Sequence, residues 1–175
     1  MKIDFKYNKT HIAWWYFLSI GVIVVDLVTK ILLDGKSLEV IKGFFGFESV
    51  HNYGASFGML SGAKIFFIAL AVVFMIGMIL FDLFYNKNFR SNGWYKVGFT
   101  LILGGLIGNL IDRIFLGYVR DFIHLEFINF PVFNIADIAL TVGCVCLAIF
   151  LIFCYRFDKN EQEANKNENA EENKS

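Results

Sequence analysis

Proline and cysteine are scarce in this sequence. Proline occurs once, at Pro131, and the three cysteines (Cys144, Cys146 and Cys154) share one apolar stretch. With no histidine near them they would make a poor metal site, and we expect them to be small apolar side chains in a helix. No disulfide framework is predicted. The formal net charge is zero, so the sequence shows no general attraction to nucleic acid.

Apolar residues are abundant instead, at 57% of the 175 residues, with 21 phenylalanines. Soluble domains usually hold about 45–50%. The excess is gathered into four runs, roughly residues 12–33, 65–85, 96–115 and 135–155, each of about the twenty residues that a bilayer core requires. We therefore predict an all-α membrane protein, a four-transmembrane-helix bundle in a single domain of residues 1–157. The first run is long and aromatic, which favours a retained helix over a cleaved signal peptide.

The connections between the runs predict an orientation. Lysine and arginine are more frequent in the N-terminal arm, between the second and third runs, and just after the fourth, so both termini are expected in the cytoplasm. Residues 158–175 are polar throughout and are predicted to be a disordered cytoplasmic tail. On the opposite side, residues 34–64 contain several glycines and a β-branched, aromatic stretch, which favours short strands on the membrane surface.

Ionisable residues inside the first run are costly to place in a bilayer. Asp26 and Lys30 share one helix face with Thr29, and we predict an ion pair near the outer interface, with Lys30 extending outward. In the third run, Gly104 and Gly108 form a surface of small residues that allows another helix to approach closely.

A second group of polar residues follows these glycines. Asn109, Asp112 and Arg113 share a face at the end of the third run, and Asn134 and Asp137 share one at the start of the fourth. Asn134 is also a suitable helix N-cap. Asp137 has no basic neighbour in its own run, so its expected partner is Asp121 or Arg113.

Two carboxylates at a membrane boundary, Asp121 and Asp137, indicate acid–base chemistry. Held close together they cannot both ionise readily, so one keeps a proton while the other acts as a base. Such a pair can hydrolyse an amide bond. From the residues alone, two alternatives remain: a proton relay in a small transporter or channel subunit, and a purely structural polar cluster in a partner subunit. The polar groups gather toward one side of the membrane, which favours a site at its surface.

Five motifs in order along the chain resemble those of the lipoprotein signal peptidases (signal peptidase II), bacterial aspartic peptidases of the inner membrane. They are Asp26-Leu27-Val28-Thr29-Lys30, His51-Asn52-Tyr53-Gly54-Ala55-Ser56-Phe57-Gly58, Gly108-Asn109-Leu110-Ile111-Asp112-Arg113, Val119-Arg120-Asp121-Phe122 and Phe133-Asn134-Ile135-Ala136-Asp137. Each motif is weak alone, whereas five in register on four runs are specific.

The resemblance implies an endopeptidase that removes signal peptides from diacylglyceryl-modified prolipoproteins by cleaving before the lipidated cysteine. It implies the following roles: Asp121 and Asp137 as the catalytic dyad; Asn52, Asn109, Arg113 and Asn134 as substrate-binding residues; Asp26, Lys30, Gly54 and Asp112 as structural support.

Further expectations also come from the resemblance. Residues 34–64 would form an extracytoplasmic β-cradle with a short surface helix, and the active site would lie near the extracytoplasmic face of a bacterial inner membrane. The implied partners are the prolipoprotein substrates, membrane lipids and globomycin-type inhibitors. A monomer is expected, and no metal or organic cofactor is implied. Arg120 stands where the family has an apolar residue, and we expect its charge to favour the ionised form of Asp121.

Overall fold

The computed structural model describes residues 9–54, 62–84 and 92–172, with side chains described for 16–54, 62–83 and 92–153. Within these ranges the chain forms four helices and three strands. Their order is α1 (Lys9–Leu33), β1 (Ser37–Ile41), β2 (Phe45–Asn52), α2 (Lys64–Phe84), α3 (Gly93–Phe115), β3 (Val119–Leu125) and α4 (Ile135–Glu172).

Each of the four helices contains a stretch long and apolar enough to cross a membrane. These stretches are Tyr16–Leu33, Lys64–Leu83, Gly93–Phe115 and Ile135–Phe153, close to the four predicted runs. Helix α3 begins three residues before its predicted start because the Asn92 side chain accepts hydrogen bonds from the backbone N–H groups of Trp94 and Tyr95. An Asn at this position satisfies donors that the first helical turn leaves unpaired.

Helix α4 continues to Glu172, so the segment predicted to be disordered is helical up to that residue. A polar composition does not prevent a helix. Glu, Gln, Lys and Ala are good helix formers, and extending an existing helix avoids the cost of nucleating a new one.

The three strands form one antiparallel sheet in the order β1-β2-β3. Strands β1 and β2 lie in the connection where short strands are predicted. Strand β3 lies between α3 and α4, where no strand is predicted, and pairs with β2 so that Val50 stands opposite Asp121 and Asn52 opposite Val119. The residues that remain for the predicted surface helix, 55–61, lie outside the described part of the chain.

Helix α3 is the central helix, and its glycines allow its neighbours to approach. A Cβ atom on Gly104 would lie 3.0 Å from the Ser19 carbonyl oxygen of α1. A Cβ on Gly105 would lie 2.5 Å from the Ala136 carbonyl oxygen of α4. The close packing predicted at Gly104 is therefore present, and Gly105, which the pattern did not single out, gives the tighter contact.

Candidate active site

The most deeply buried large side chains of the described chain are polar. The largest with less than 2% exposure are Lys30, Asn134, Asp26 and Asp112. Buried charges are strongly unfavourable unless they are paired and hydrogen-bonded. The interior of the bundle must therefore satisfy these groups, and it does so through one connected network at the level where α1, α3, α4 and the sheet meet.

Lys30 stands at the centre of the buried charges. Its Nζ lies 2.8 Å from Asp26 Oδ2 and 3.6 Å from Asp112 Oδ2, and it donates to Asn109 Oδ1 at 2.9 Å. The predicted ion pair with Asp26 is present, but the predicted outward extension of Lys30 is wrong, because the side chain has no exposure. The oxygens of Asp26, Asp112 and Asn109 surround the Lys30 ammonium group inside the bundle. They take the place of the water and lipid headgroups that it would contact at the membrane surface.

Asp26 joins α1 to the beginning of α4. Its Oδ1 accepts a hydrogen bond from the Ala136 backbone N–H at 2.9 Å, one of the donors that a first helical turn leaves unpaired. A Cβ atom on Gly108 would lie 2.6 Å from Asp26 Oδ2, so this glycine is needed for the carboxylate to fit. Asp26 therefore links α1 to α4 through a hydrogen bond and pairs with Lys30 within α1.

Asn134 and Asp137 form a reciprocal cap at the start of α4. Asn134 Oδ1 accepts from the Asp137 backbone N–H at 3.0 Å, and the Asn134 backbone N–H donates to Asp137 Oδ2 at 3.1 Å. This is the arrangement of a capping box. Asp137 Oδ1 accepts in addition from Asn109 Nδ2 at 2.8 Å, so both oxygens of this carboxylate are held by hydrogen bonds.

Asp121 is held from the opposite side, at the start of β3. Its Oδ1 accepts from Asn134 Nδ2 at 2.6 Å and its Oδ2 from Asn52 Nδ2 at 3.0 Å. The Gly54 backbone N–H donates to Asn52 Oδ1 at 3.0 Å and so orients this amide. Asn134 therefore touches both aspartates, one through its cap and one through its amide nitrogen.

The environment of Asp121 changes its protonation. The side chain is only 3% exposed. Burial, and then repulsion from the Asp137 carboxylate, raise the pKa of Asp121 to about 7, against the opposing hydrogen bonds from Asn52 and Asn134. A carboxyl group with this pKa exchanges its proton near neutral pH, which is the property expected of an acid–base group.

Arg120 has a different role from the one predicted. Its Nη2 lies 2.7 Å from Asp112 Oδ1, and its Nε and backbone N–H donate to Asp112 Oδ2 at 3.2 and 3.0 Å. Because successive side chains of a strand point to opposite faces, Arg120 faces Asp112 rather than Asp121. The expected charge effect on Asp121 is therefore wrong, and the pair instead fixes the start of β3 against α3.

A cavity of about 640 Å³ lies beside both aspartates. Its polar lining residues include Asn52, Arg113, Asp121 and Asp137; its apolar lining residues include Phe130, Phe133, Ile138 and Val142. The residues predicted for one site are thus brought together, either on the cavity or, like Asn109 and Asn134, hydrogen-bonded to its carboxylates. The Arg120–Asp112 pair was not predicted, and only the pairing of β3 with β2 and α3 reveals it.

The fold and the site fit a multi-pass membrane protein with a paired-aspartate centre. The chain belongs to the signal peptidase II family: residues 18–153 match the family described as signal peptidase (SPase) II. It is 42% identical over 118 residues to the lipoprotein signal peptidase of Enterococcus faecalis, covering 67% of this chain and 71% of that protein. It is 38% identical over 151 residues to that of Lactobacillus johnsonii, covering 83% of this chain and 96% of that protein.

A solved structure leads to the same fold. A bacterial membrane enzyme determined by the in meso method at 2.3 Å resolution has a TM-score of 0.74 and 34% sequence identity, over 81% of this chain and 88% of that one. The resemblance found in the sequence is confirmed, and family membership makes this chain a bacterial membrane protease. The transporter alternative is not favoured.

Proposed function

We propose that this protein is an aspartic endopeptidase that cleaves diacylglyceryl-modified prolipoproteins before the lipidated cysteine. The observation that supports it best is the arrangement of Asp121 and Asp137. Both are buried or half-buried, both line one cavity, and both are hydrogen-bonded to Asn134. The geometry holds two carboxyl groups of unlike surroundings against a space that a peptide can enter.

The charges around the dyad support a single shared proton. Lys30, Arg113 and Arg120 are the cations of the cluster. The carboxylates are Asp26, Asp112, Asp121 and Asp137. Three cations against four carboxylates leave one negative charge in excess, and one proton on the dyad neutralises it.

Asp121 is the more buried of the two, and its raised pKa favours it as the holder of that proton, with Asp137 as the base. Asp137 removes a proton from a water molecule as the water attacks the scissile carbonyl. Asp121 donates its proton to the departing amide nitrogen. The hydrogen bonds from Asn109 and Asn134 to Asp137 fix the direction of its carboxylate.

The mixed lining of the cavity matches a lipidated peptide. The peptide backbone would lie against the polar lining residues, among which Asn52 and Arg113 supply hydrogen-bond donors. The apolar lining residues, which include Ile138 and Val142 of α4, suit the lipid-modified side chain. Cyclic peptides of the globomycin type would occupy the same cavity and exclude substrate, and one chain, as a monomer among membrane lipids, supplies every group of the site.

The membrane arrangement belongs to the same proposal. All four helices cross the bilayer, both termini lie in the cytoplasm, and the sheet and dyad lie at the extracytoplasmic face. The distribution of lysine and arginine supports this orientation. A substrate anchored in the bilayer by its lipid presents its scissile bond at the headgroup level, where water for hydrolysis is available.

The test is cleavage of a diacylglyceryl-modified prolipoprotein by purified protein in detergent. We expect wild type to cleave and Asp121→Asn and Asp137→Asn to lose activity by at least about a thousandfold, because either change removes one half of the acid–base pair. The control is Asp82→Asn, the same change on α2, where the carboxylate accepts from the Tyr95 hydroxyl. Cleavage retained in either dyad variant, with thermal unfolding like that of wild type, would contradict the assignment.

A further inference from the structure

The first turn of α2 contacts the end of α3 beside the cavity. Further along α2, Met75 and Met78 pack against buried residues of α3 and α4, and no residue of the described stretch Lys64–Leu83 is fully buried. Lys64 Nζ donates to the Ile114 carbonyl oxygen at 3.3 Å. One turn later, the half-buried ring of Phe67 lies against the Arg113 guanidinium, with 5.2 Å from Cζ to the ring centroid. The Phe67 ring is therefore in contact with Arg113, a residue that lines the cavity.

Arg113 differs from the other cations of the site in how it is held. Lys30 is held by the Asp26 carboxylate and the Asn109 side-chain oxygen, and the Arg120 guanidinium is held by the Asp112 carboxylate. Electrostatic attraction acts between Arg113 and Asp137, Asp121 and Asp112. Among the described residues, however, its side chain makes no hydrogen bond and no ion pair within 4.0 Å. The described group that contacts its guanidinium is the Phe67 ring.

A guanidinium held by an aromatic ring keeps its hydrogen-bond donors free. Arginine stacks on aromatic faces and carries five N–H donors in a rigid plane. The contact with the ring uses none of these N–H donors, and since no described residue accepts a hydrogen bond from them, they remain available. Arg113 lines the cavity, so these donors lie at the wall that a bound substrate would contact.

We infer that Phe67 is a positioning residue, whose ring holds Arg113 ready to donate hydrogen bonds to carbonyl oxygens of the substrate. The inference rests on the proposed function, in which Arg113 binds substrate. It adds a residue outside all five sequence motifs, on a helix that supplies nothing else to the described site. The role is one of binding: Phe67 prepares Arg113 for substrate and does not itself take part in proton transfer.

The test compares the kinetics of Phe67→Leu and Phe67→Tyr with those of wild type on the same lipidated substrate. Leucine fills similar space without a π face, and we expect KM to rise about three- to tenfold with kcat changed by less than about twofold. Tyrosine keeps the aromatic face and is expected to restore KM. The matched control is Phe74→Leu, seven residues further along the same helix at a side chain that is 54% exposed, which should leave both constants unchanged.

A double-mutant cycle separates positioning from general stability. In an Arg113→Gln background, Phe67→Leu should raise KM by less than about twofold, because the guanidinium that the ring holds is already gone. If Phe67→Leu does not fold, as judged by thermal unfolding in detergent, Phe67→Met serves in its place. A merely structural role would instead lower stability equally in both backgrounds and would leave KM unmoved.

The two proposals fail in different ways. If wild type cleaves, the dyad variants do not, and Phe67→Leu matches Phe74→Leu, the positioning role is overturned while the proposed function stands. Additive effects of Phe67→Leu and Arg113→Gln would overturn it as well. If well-folded wild type does not cleave the lipidated substrate, the proposed function is wrong and this inference falls with it; if the dyad variants cleave normally, the assignment of the dyad is wrong.

Discussion

Asn134 shows how much one residue can organise in this site. Its side-chain oxygen caps α4, its backbone N–H holds Asp137, and its side-chain nitrogen reaches Asp121. The cap and the polar cluster were alternative interpretations from the sequence, and the structure shows that a single amide group serves both. An asparagine suits this because its amide donates from one end and accepts at the other, whereas an aspartate would only accept.

At the same scale, the raised pKa of Asp121 predicts a pH-dependent stability. Between its ordinary value of 3.8 and its native value of about 7, the folded protein binds more protons than the unfolded chain. The free energy of unfolding must therefore decrease as pH rises through this interval. We expect the unfolding temperature of wild type in detergent to fall, relative to Asp121→Asn, as pH is raised from about 4 to about 8.

The comparison is made between the two melting curves and not on either one alone. Asp121→Asn removes the titrating group, so the gap between the proteins should change steadily with pH, in favour of the variant as pH rises. The melting curve of the control variant Asp82→Asn, near the C-terminal end of α2, should change with pH in the same way as that of wild type. A gap that stays constant from pH 4 to 8 would show that the pKa of Asp121 is the same in both states.

At the scale of the elements, the close packing of α3 against α4 depends on the absence of a side chain at Gly105. The Cβ of an alanine at position 105 would lie 2.5 Å from the Ala136 carbonyl oxygen and 2.8 Å from Leu140 Cγ. Ala136 directly precedes Asp137 and donates its N–H to Asp26. A shift of α4 at this point would therefore move one aspartate of the dyad together with the network that supports it.

We predict that Gly105→Ala lowers both stability and activity. Overpacking of this kind costs about 1–3 kcal/mol of the free energy of unfolding. The cleavage rate of the protein that remains folded should also fall, because the position of Asp137 changes. Gly77→Ala is the control, since a Cβ there meets nothing within 4 Å, and alanine is favoured over glycine inside a helix by about 0.5–1 kcal/mol. Thermal unfolding and prolipoprotein cleavage are the measurements; equal behaviour of the two variants would contradict close packing of α3 against α4.

At the scale of the whole molecule, the described residues include many exposed large apolar side chains and several fully buried charged ones. Ile65, Val73 and Phe115 are 81%, 68% and 78% exposed, whereas Lys30 and Asp26 have no exposure. This distribution suits a lipid environment, in which exposed apolar side chains are solvated and charged groups must face the bundle interior.

The proposed orientation is tested with reporter fusions. Fluorescent protein fused after Ser175 should fluoresce and alkaline phosphatase at the same place should be inactive, because both termini are expected in the cytoplasm. Phosphatase fused after Lys42, beyond α1, should be active, and after Lys87, between α2 and α3, inactive. The reverse pattern would place the dyad on the cytoplasmic side.

The sequence by itself determined the four apolar helices, the family and the identity of the polar residues that meet at one level. These follow from residues that are close together in the sequence. A long apolar run forms a helix in a membrane, and a motif consists of residues that are neighbours along the chain. Tertiary structure alone decided the contacts between distant residues. Lys30 is buried because Asn109 and Asp112 of another helix surround it. Arg120 faces Asp112, and Phe67 meets Arg113, because strand pairing and helix packing set these neighbours. No spacing in the sequence measures the distance between two elements that meet only after folding.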